Sequence, residues 1–186
     1  MRTALKLAAT CLIAAGLAQP ALAQESPTLQ KIKASGSIAL GHRESSIPFS
    51  YYDDKQQVVG YSHELMLKVV DAVKAELKLP SLAVKLTPVT SQNRIPLVQN
   101  GTVDIECGST THNKERAQQV AFSNTLFIIG TRLMTKKDSG VQDFPDLAGK
   151  NVVTTAGTTS ERLIRKMNDD RKLGMKIISA KDHGES

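Results

Sequence analysis

Hydrophobic positions along the chain follow two different periods, and stretches of the two kinds alternate. Apolar residues four apart (Leu65, Val69, Val73 and Leu77) predict an amphipathic helix over residues 63–79, which Pro80 ends. Short apolar runs predict strands that begin near residues 38, 84, 103, 151 and 175. Because strands alternate with helices, the pattern indicates an α/β fold with largely parallel sheets.

Helix signals support the same order of elements. A short helix before Gly36 and another closed by Asn100 and Gly101 are typical of helices that end at glycine. Thr158 and Glu161 have the spacing of a capping box, which predicts the start of a helix with Leu163, Ile164 and Met167 on one face. A long extended run is expected within residues 122–137. His63, near the start of the long helix, is expected at the surface.

A change of composition divides the chain. Residues 131–150 include a polar stretch with Gly and Pro, typical of a connector, and strand–helix–strand signals resume after it. We predict a first lobe over residues 24–130, a connector over 131–150 and a partial second lobe over 151–186. A single strand–helix–strand unit cannot cover both faces of its sheet. We therefore expect the second lobe to be incomplete over these residues.

The first residues are predicted to form a signal peptide. Arg2 and Lys6 precede an apolar stretch over residues 7–18, and a small-residue site ends at Ala23. The apolar stretch is too short to span a bilayer, so we expect cleavage after Ala23 and a mature protein in the periplasm. Cys107 is then the single remaining cysteine, either buried and inert or paired with a group outside this chain.

Composition argues against several kinds of function. The net charge is +6, but the basic residues are scattered and aromatic residues make up 4% of the chain, which disfavours nucleic acid as a partner. The four histidines lack metal-site spacing, so no metal is predicted. The chain contains no GxGxxG, P-loop or GxSxG motif, and no cofactor is predicted.

Polar side chains follow every predicted strand. Ligands of open α/β sheets bind outside the carboxyl ends of the strands, and these ends carry hydroxyls and cations suited to an anion. Three arginines (Arg43, Arg94 and Arg116) exceed what one carboxylate requires. If they converge, they predict a ligand with two acidic groups; the alternative is that one or two are solvated surface residues.

Several stretches together resemble one family: GHRESS at residues 41–46, SQNRIP at 91–96, GTVDIECGSTT at 101–111 and DLAGK at 146–150. They are similar to the periplasmic glutamate/aspartate-binding proteins of solute-binding protein family 3. These are the solute-binding components of ABC-type amino-acid importers. The resemblance implies a two-lobe clamp that captures L-glutamate or L-aspartate and delivers it to an inner-membrane permease. We expect a monomer.

The resemblance also implies residue roles. Arg116, with Ser109 and Thr111, is expected to hold the ligand's α-carboxylate, and Thr158 and Thr159 are expected to add donors from the second lobe. Four residues are expected to bind the side-chain carboxylate of the ligand: Arg43, Ser91, Arg94 and His183. Residues 130–136 are expected to form one hinge strand. In the family, the acid for the ligand ammonium, the second hinge crossing and a partner for Cys107 lie beyond the stretch that this chain matches.

Two other classes of function are alternatives for this sequence. The same fold carries enzymes (dehydratase-like or associated with cell-wall lyases), for which His183 is the one candidate acid or base. An arginine-rich cleft is suited to holding charge rather than to moving protons, so an enzyme is not predicted. A ligand-sensing domain tethered to a kinase or channel is disfavoured by a cleavable signal with no later membrane span.

Overall fold

The computed structural model describes residues 26–186, so the predicted signal peptide and its cleavage site lie outside the described residues. Helix α1 (Pro27–Ser35) begins where the Ser26 side chain accepts a hydrogen bond from the Leu29 N–H. It ends at Gly36, whose φ of 62° is the left-handed conformation that favours glycine. The predicted first helix is thus confirmed together with its stop.

The first lobe is built on two three-stranded sheets. Its remaining elements are β1 (Ser37–His42), β2 (Ser45–Ser46), β3 (Ser50–Tyr52), β4 (Val58–Val59), α2 (Tyr61–Glu76), β5 (Ala83–Pro88), α3 (Arg94–Gln99), β6 (Ile105–Glu106) and α4 (Lys114–Ala117). One sheet is parallel, in the order β5-β1-β6; the other is antiparallel, in the order β2-β3-β4. The parallel sheet confirms the α/β fold class.

Helix α2 packs one face against the sheet, and this face takes up only part of the predicted apolar stripe. Met66, Val70 and Leu77 are buried in the core, whereas Val69 is 46% exposed. The apolar stripe of α2 is wider than its contact with the sheet, so the side chains at its edge stay in solvent. The core of this lobe also includes α1 and β1 residues, namely Ile32, Ile38 and Leu40.

His63 is buried, so its expected surface position was wrong. The first turn of α2 is held against the loop before β3, where the Ser62 and His63 N–H groups donate to the Phe49 carbonyl. The Ser62 hydroxyl also donates to the Gly108 carbonyl at 3.0 Å. These contacts, which no helical period reveals, turn the start of the helix inward.

The second lobe follows a short 3-10 turn (Phe144–Leu147) and contains β7 (Asn151–Thr155), α5 (Thr159–Arg171), β8 (Lys176–Ala180) and a final 3-10 turn (His183–Glu185). Strands β7 and β8 pair in parallel, as predicted. Its core consists of Leu147, Ile164 and Met175. Leu163 was expected on the buried face of α5 and is instead 46% exposed, because this small sheet covers only a narrow strip of the helix.

The predicted extended run forms no strand. Residues 118–143 contain no regular helix or strand, and Leu126 to Ile129 are exposed. An extended backbone becomes a strand only when a neighbouring strand satisfies its N–H and C=O groups, and the described part of the chain places none beside it. Within residues 26–186, the structure shows no helix with the length and apolar character that a membrane crossing requires.

Candidate ligand-binding cleft

Arg43 follows β1 directly and is completely buried. Its backbone N–H donates to the Ser50 hydroxyl at 2.9 Å. Its Nη1 donates to the hydroxyl oxygens of Ser91 at 3.0 Å and Ser109 at 3.2 Å. The ends of β1, β5 and β6 therefore meet at one guanidinium, as the strand-end argument predicted.

The remaining amino group of Arg43 makes an ion pair that the sequence did not reveal. Nη2 donates to the carboxylate of Asp182, which follows β8 in the second lobe. The same carboxylate accepts the His183 N–H at 2.7 Å and so caps the final 3-10 turn. In the sequence, Asp182 is one of the polar residues that follow the last predicted strand. Only the packing of the lobes brings it to Arg43.

Arg94, the first residue of α3, is buried without a hydrogen-bond partner at Nε or Nη1. Burial lowers the pKa of this guanidinium to about 10, the nearby Arg116 and Arg43 act in the same direction, and Glu106 opposes them. Glu106 accepts a hydrogen bond from the Thr110 hydroxyl at 2.5 Å, while its other carboxylate oxygen is buried without a partner. The three arginines thus converge, and Arg94 is the one with two buried guanidinium nitrogens that lack a hydrogen-bond partner.

Arg116 extends from α4 toward the second lobe. Asn113 caps α4 by accepting the Arg116 N–H at 2.9 Å. The guanidinium donates from Nη1 to the Thr111 carbonyl at 2.9 Å and from Nη2 to the Gly157 carbonyl at 3.2 Å. Burial, and secondarily the charge of Arg162, lowers the pKa of Arg116.

The two threonines at the start of α5 have different surroundings. The Thr158 hydroxyl accepts the Glu161 N–H at 3.0 Å and donates to the Thr155 carbonyl at 2.7 Å, so it is used within its own lobe. Glu161 completes the cap by accepting the Gly157 N–H at 2.8 Å, one residue earlier than the predicted capping box. The Thr159 hydroxyl reaches the Thr111 hydroxyl of the first lobe at 3.5 Å.

His183 lies between the lobes with both ring nitrogens in contact. Nε2 lies 3.0 Å from the Ser109 hydroxyl, and Nδ1 lies 2.8 Å from the Thr155 hydroxyl. Burial and then the charge of Arg43 lower the pKa of the ring. A neutral imidazole has one donor and one acceptor nitrogen, which two hydroxyls can satisfy.

Two cavities adjoin these residues. One of about 430 Å³ lies between the lobes and is lined by Ser91, Arg116 and Thr158, among others. A larger one of about 520 Å³ lies in the first lobe beside residues 120–129, and Arg94, Ser109 and Thr111 lie on its wall. Arg43, Thr159 and His183 line neither cavity. No group of three metal-binding side chains occurs among residues 26–186.

Cys107 carries a free thiol on the wall of the larger cavity. Burial raises the pKa of this thiol, although a hydrogen bond with Ser62 acts in the opposite direction. A thiol with a raised pKa is a poor nucleophile at neutral pH. Its expected pairing with a cysteine beyond this stretch stays a prediction.

A cleft lined by arginines and hydroxyls, between two lobes with parallel sheets, defines the class of two-lobe periplasmic binding proteins. Residues 38–181 match the bacterial extracellular solute-binding proteins, family 3. The chain belongs to that family, whose members act outside the cytoplasm.

Curated relatives include three proteins named for acidic amino acids. The L-glutamate/L-aspartate-binding protein of Pseudomonas aeruginosa is 62% identical over the whole chain, which covers 62% of that protein. Glutamate/aspartate import solute-binding proteins of Salmonella typhimurium and Escherichia coli are 63% and 58% identical over 86% and 94% of the chain. The chain covers 53% and 58% of these two relatives, so it spans little more than half of their length.

Solved structures support the fold. The arginine-binding protein of T. maritima (P235GK mutant) superposes with a TM-score of 0.72 at 24% identity, over 84% of this chain and 64% of that chain. The ancestral amino acid-binding protein AncCDT-1, described as a precursor of cyclohexadienyl dehydratase, gives a TM-score of 0.70 at 28% identity. That match covers 85% of this chain and 66% of that chain.

Proposed function

We propose that this chain binds an acidic amino acid, L-glutamate or L-aspartate, as part of an extracytoplasmic solute-binding protein that serves an ABC importer. The observation that carries the proposal is Arg94, a buried guanidinium without a hydrogen-bond partner at Nε or Nη1 beside two further arginines. A buried charge without a partner is costly, and a bound carboxylate would compensate it. The names of the similar proteins point to the same ligand class.

The proposed roles of the individual residues are those that the family resemblance implies. Arg116, with Ser109 and Thr111, holds the α-carboxylate. The side-chain carboxylate is held by Arg43, Ser91, Arg94 and His183. Because the Thr158 hydroxyl donates to the Thr155 carbonyl, the second lobe contributes the Thr159 hydroxyl and the N–H groups of Thr159 and Ser160, which have no partner within the helix.

Ligand capture would favour the closed arrangement, because a ligand that touches both lobes binds the closed state more tightly than the open one. Transport requires a membrane permease that recognises this closed form.

We further propose a monomer whose lobes span residues 24–130 and 151–186 and are joined by residues 131–150. The proposed mature protein lies in the periplasm, after cleavage of the signal peptide behind Ala23. The charged and apolar pattern of residues 1–23 supports that export route.

Calorimetric titration with glutamate, aspartate, glutamine and arginine tests the proposal. The chain is expected to bind the two acidic ligands and to discriminate against the other two. Arg94→Met should weaken glutamate binding by about 10-fold to 100-fold, since a hydrogen bond to a charged group contributes about 1.5–3 kcal/mol, and should leave glutamine much less affected.

Arg171→Met is the matched control, because Arg171 is an exposed arginine of α5; it should leave all affinities unchanged. Binding of glutamine or arginine in preference to both acidic ligands would contradict the proposed ligand class. Equal losses for glutamate and glutamine in Arg94→Met would remove Arg94 from side-chain recognition.

A further inference from the structure

Glu106 is a carboxylate of the first lobe that lies among the arginines of the cleft. It is the last residue of β6, and its backbone pairs with Gly41 of β1. A Cβ added at Gly108 would lie 2.7 Å from Cγ of Arg43 and 3.1 Å from Oε1 of Glu106. Because Gly108 has no side chain, the Glu106 carboxylate and the aliphatic part of Arg43 can lie close together above it.

A single hydroxyl group holds this carboxylate. Oε2 accepts a hydrogen bond from the Thr110 hydroxyl at 2.5 Å, and Oε1 is buried without a hydrogen-bond partner. Among residues 26–186, Glu106 takes part in no ion pair. Arg94 lines the same cavity and also has two buried nitrogens without a partner. The two opposite charges thus border one cavity without a direct bond.

The negative charge of Glu106 acts on two arginines at once. Burial lowers the pKa of Arg94 and of Arg116, and the charge of Glu106 opposes this shift in both. A nearby opposite charge favours the charged form of a group. Glu106 therefore compensates part of the positive charge that Arg94 and Arg116 place in the cleft.

The charged side chains of the cleft leave an excess of one positive charge. Three arginines are opposed by two carboxylates, since Asp182 pairs with Arg43 and Glu106 lies near Arg94 and Arg116. The other charged residues that line the two cavities are paired: Asp104 with Lys31, Glu115 with Arg162 and Glu161 with Arg165. An acidic amino acid, with two carboxylates and one ammonium group, carries one net negative charge at neutral pH and matches this excess.

We propose that Glu106 is a specificity-determining residue, a fixed counter-charge that matches the cleft to a ligand with two carboxylates and one ammonium group. Its charge weakens the attraction of every anion to the arginines. It acts most strongly against a dicarboxylate without an ammonium group, because the repulsion increases with the charge of the ligand. This role rests on the proposed function, and it adds a residue outside the set that is proposed to hold the ligand.

Calorimetric titration of Glu106→Gln with glutamate and with glutarate tests this role. Glutarate has the same two carboxylates as glutamate but no ammonium group, and Gln keeps an oxygen for the Thr110 hydroxyl. The variant should bind glutamate about threefold and glutarate about tenfold more tightly than the unsubstituted chain does, because a doubled ligand charge doubles the gain in binding free energy. A residue that only supported the structure of the cleft would weaken the binding of both ligands when it was replaced.

Glu76→Gln is the matched control, because Glu76 is exposed at the end of α2 and lines neither cavity. It removes the same charge and should leave both affinities unchanged. Glu106→Asp keeps the charge and should keep the preference for glutamate over glutarate. Unchanged or weaker binding of both ligands by Glu106→Gln, or an equal gain for both, would overturn the proposal.

Thermal unfolding separates a failure of this role from a failure of the proposed function. In a double-mutant cycle with Arg94→Met, the loss of melting temperature caused by Glu106→Gln should be smaller by about 2 °C or more when Arg94 is replaced. Equal losses in both backgrounds would show that Glu106 does not compensate Arg94. That result would overturn the counter-charge whether or not the chain binds glutamate or glutarate.

The double variant also covers the case in which Glu106→Gln alone does not fold, because it removes both charges. It is then compared with Arg94→Met in the same titrations. Tighter glutarate binding by the double variant supports the counter-charge, and equal or weaker binding refutes it.

Discussion

The three arginines of the cleft carry the same charge in different electrostatic surroundings. Arg43 has a carboxylate partner, Arg116 donates to two carbonyls, and Arg94 has no hydrogen-bond partner at Nε or Nη1. Because burial lowers the pKa of Arg94 to about 10, well below its ordinary value, the protonated side chain lowers the free energy of unfolding at neutral pH. Such a cost is typical of a binding residue that is stabilised only when its ligand arrives.

His183 is expected to make the stability of the chain sensitive to acid. Its pKa lies below the ordinary value of 6.5, so the unfolded chain takes up the proton first as the pH falls. The stability that the neutral ring contributes is therefore present above pH 6.5 and is lost as the pH falls through the lowered pKa. His183→Gln should lose less of its melting temperature between about pH 7.5 and pH 5.5 than the unsubstituted chain, by about 2 °C or more.

Thermal unfolding followed by circular dichroism at the two pH values measures this difference. His112→Gln is the control, because His112 is exposed and its ring stacks on Phe122 of the first lobe; it should keep the pH dependence of the unsubstituted chain. If His183→Gln and the unsubstituted chain lose the same amount of melting temperature between the two pH values, the ring of His183 does not titrate in this range.

At the scale of elements, the turn between β7 and α5 allows the two lobes to approach closely. Gly157 has a φ of +74°, and a Cβ added there would lie 2.9 Å from the Gln92 backbone in the first lobe. Its carbonyl accepts from Arg116, and its N–H donates to Glu161. The glycine is therefore required twice, for its backbone conformation and for the contact between lobes.

Gly157→Ala should keep both lobes folded and hold them apart. The left-handed conformation costs about 1–2 kcal/mol with an alanine side chain, and the added methyl group cannot fit beside the Gln92 backbone. The distance between nitroxide labels at Lys68→Cys in α2 and Arg171→Cys in α5, both exposed positions, should be longer in pulsed electron resonance than it is without the Gly157 substitution.

Gly174→Ala provides the matched control for the backbone cost. Gly174 has a φ of +64°, yet nothing lies within 4 Å of its would-be Cβ. In thermal unfolding, this variant should lose about as much stability as Gly157→Ala does. Its lobe distance should not change. A short distance in Gly157→Ala would mean that the lobes can close without this contact.

At the scale of the whole molecule, residues 26–186 form two hydrophobic cores with a polar junction between them. Ile38 and Leu40 belong to the first core, and Ile164 and Met175 to the second. Polar interfaces between lobes permit relative motion, whereas each core is held by apolar burial. The two lobes are therefore expected to open locally as separate units.

Hydrogen exchange should show this independence. Ile164→Ala should cost about 2–5 kcal/mol in the second lobe, since Ile164 is buried, and should raise the exchange rate of β7 and β8 without affecting β1 and β5. Ile38→Ala is the reciprocal variant: it should raise the exchange rate of β1 and β5 without affecting β7 and β8. Mass spectrometry of peptides measures both; equal loss of protection in the two lobes after either change would contradict separate units.

Much of the fold could be predicted from the sequence, because helix ends and the order of strands and helices depend on residues that are close together in the chain. The alternation of periods predicted the order of strands and helices, and Gly36 and Gly101 mark helix ends in the structure as they do in the sequence. Polar strand ends predicted where Arg43, Arg94 and Arg116 would gather. These features follow from backbone conformation and from the geometry of parallel sheets, which act over a few residues or one crossover.

The tertiary structure decided what each of these side chains touches. The burial of Val70 rather than Val69 and the burial of His63 depend on how α2 lies on its sheet. The pairing of Arg43 with Asp182 joins residues 139 positions apart, and no local period encodes such a distance. The sequence by itself therefore determined the order of the elements and predicted an anionic ligand, while the packing of the lobes decided that Arg43 is paired with a carboxylate and that two nitrogens of Arg94 are not paired.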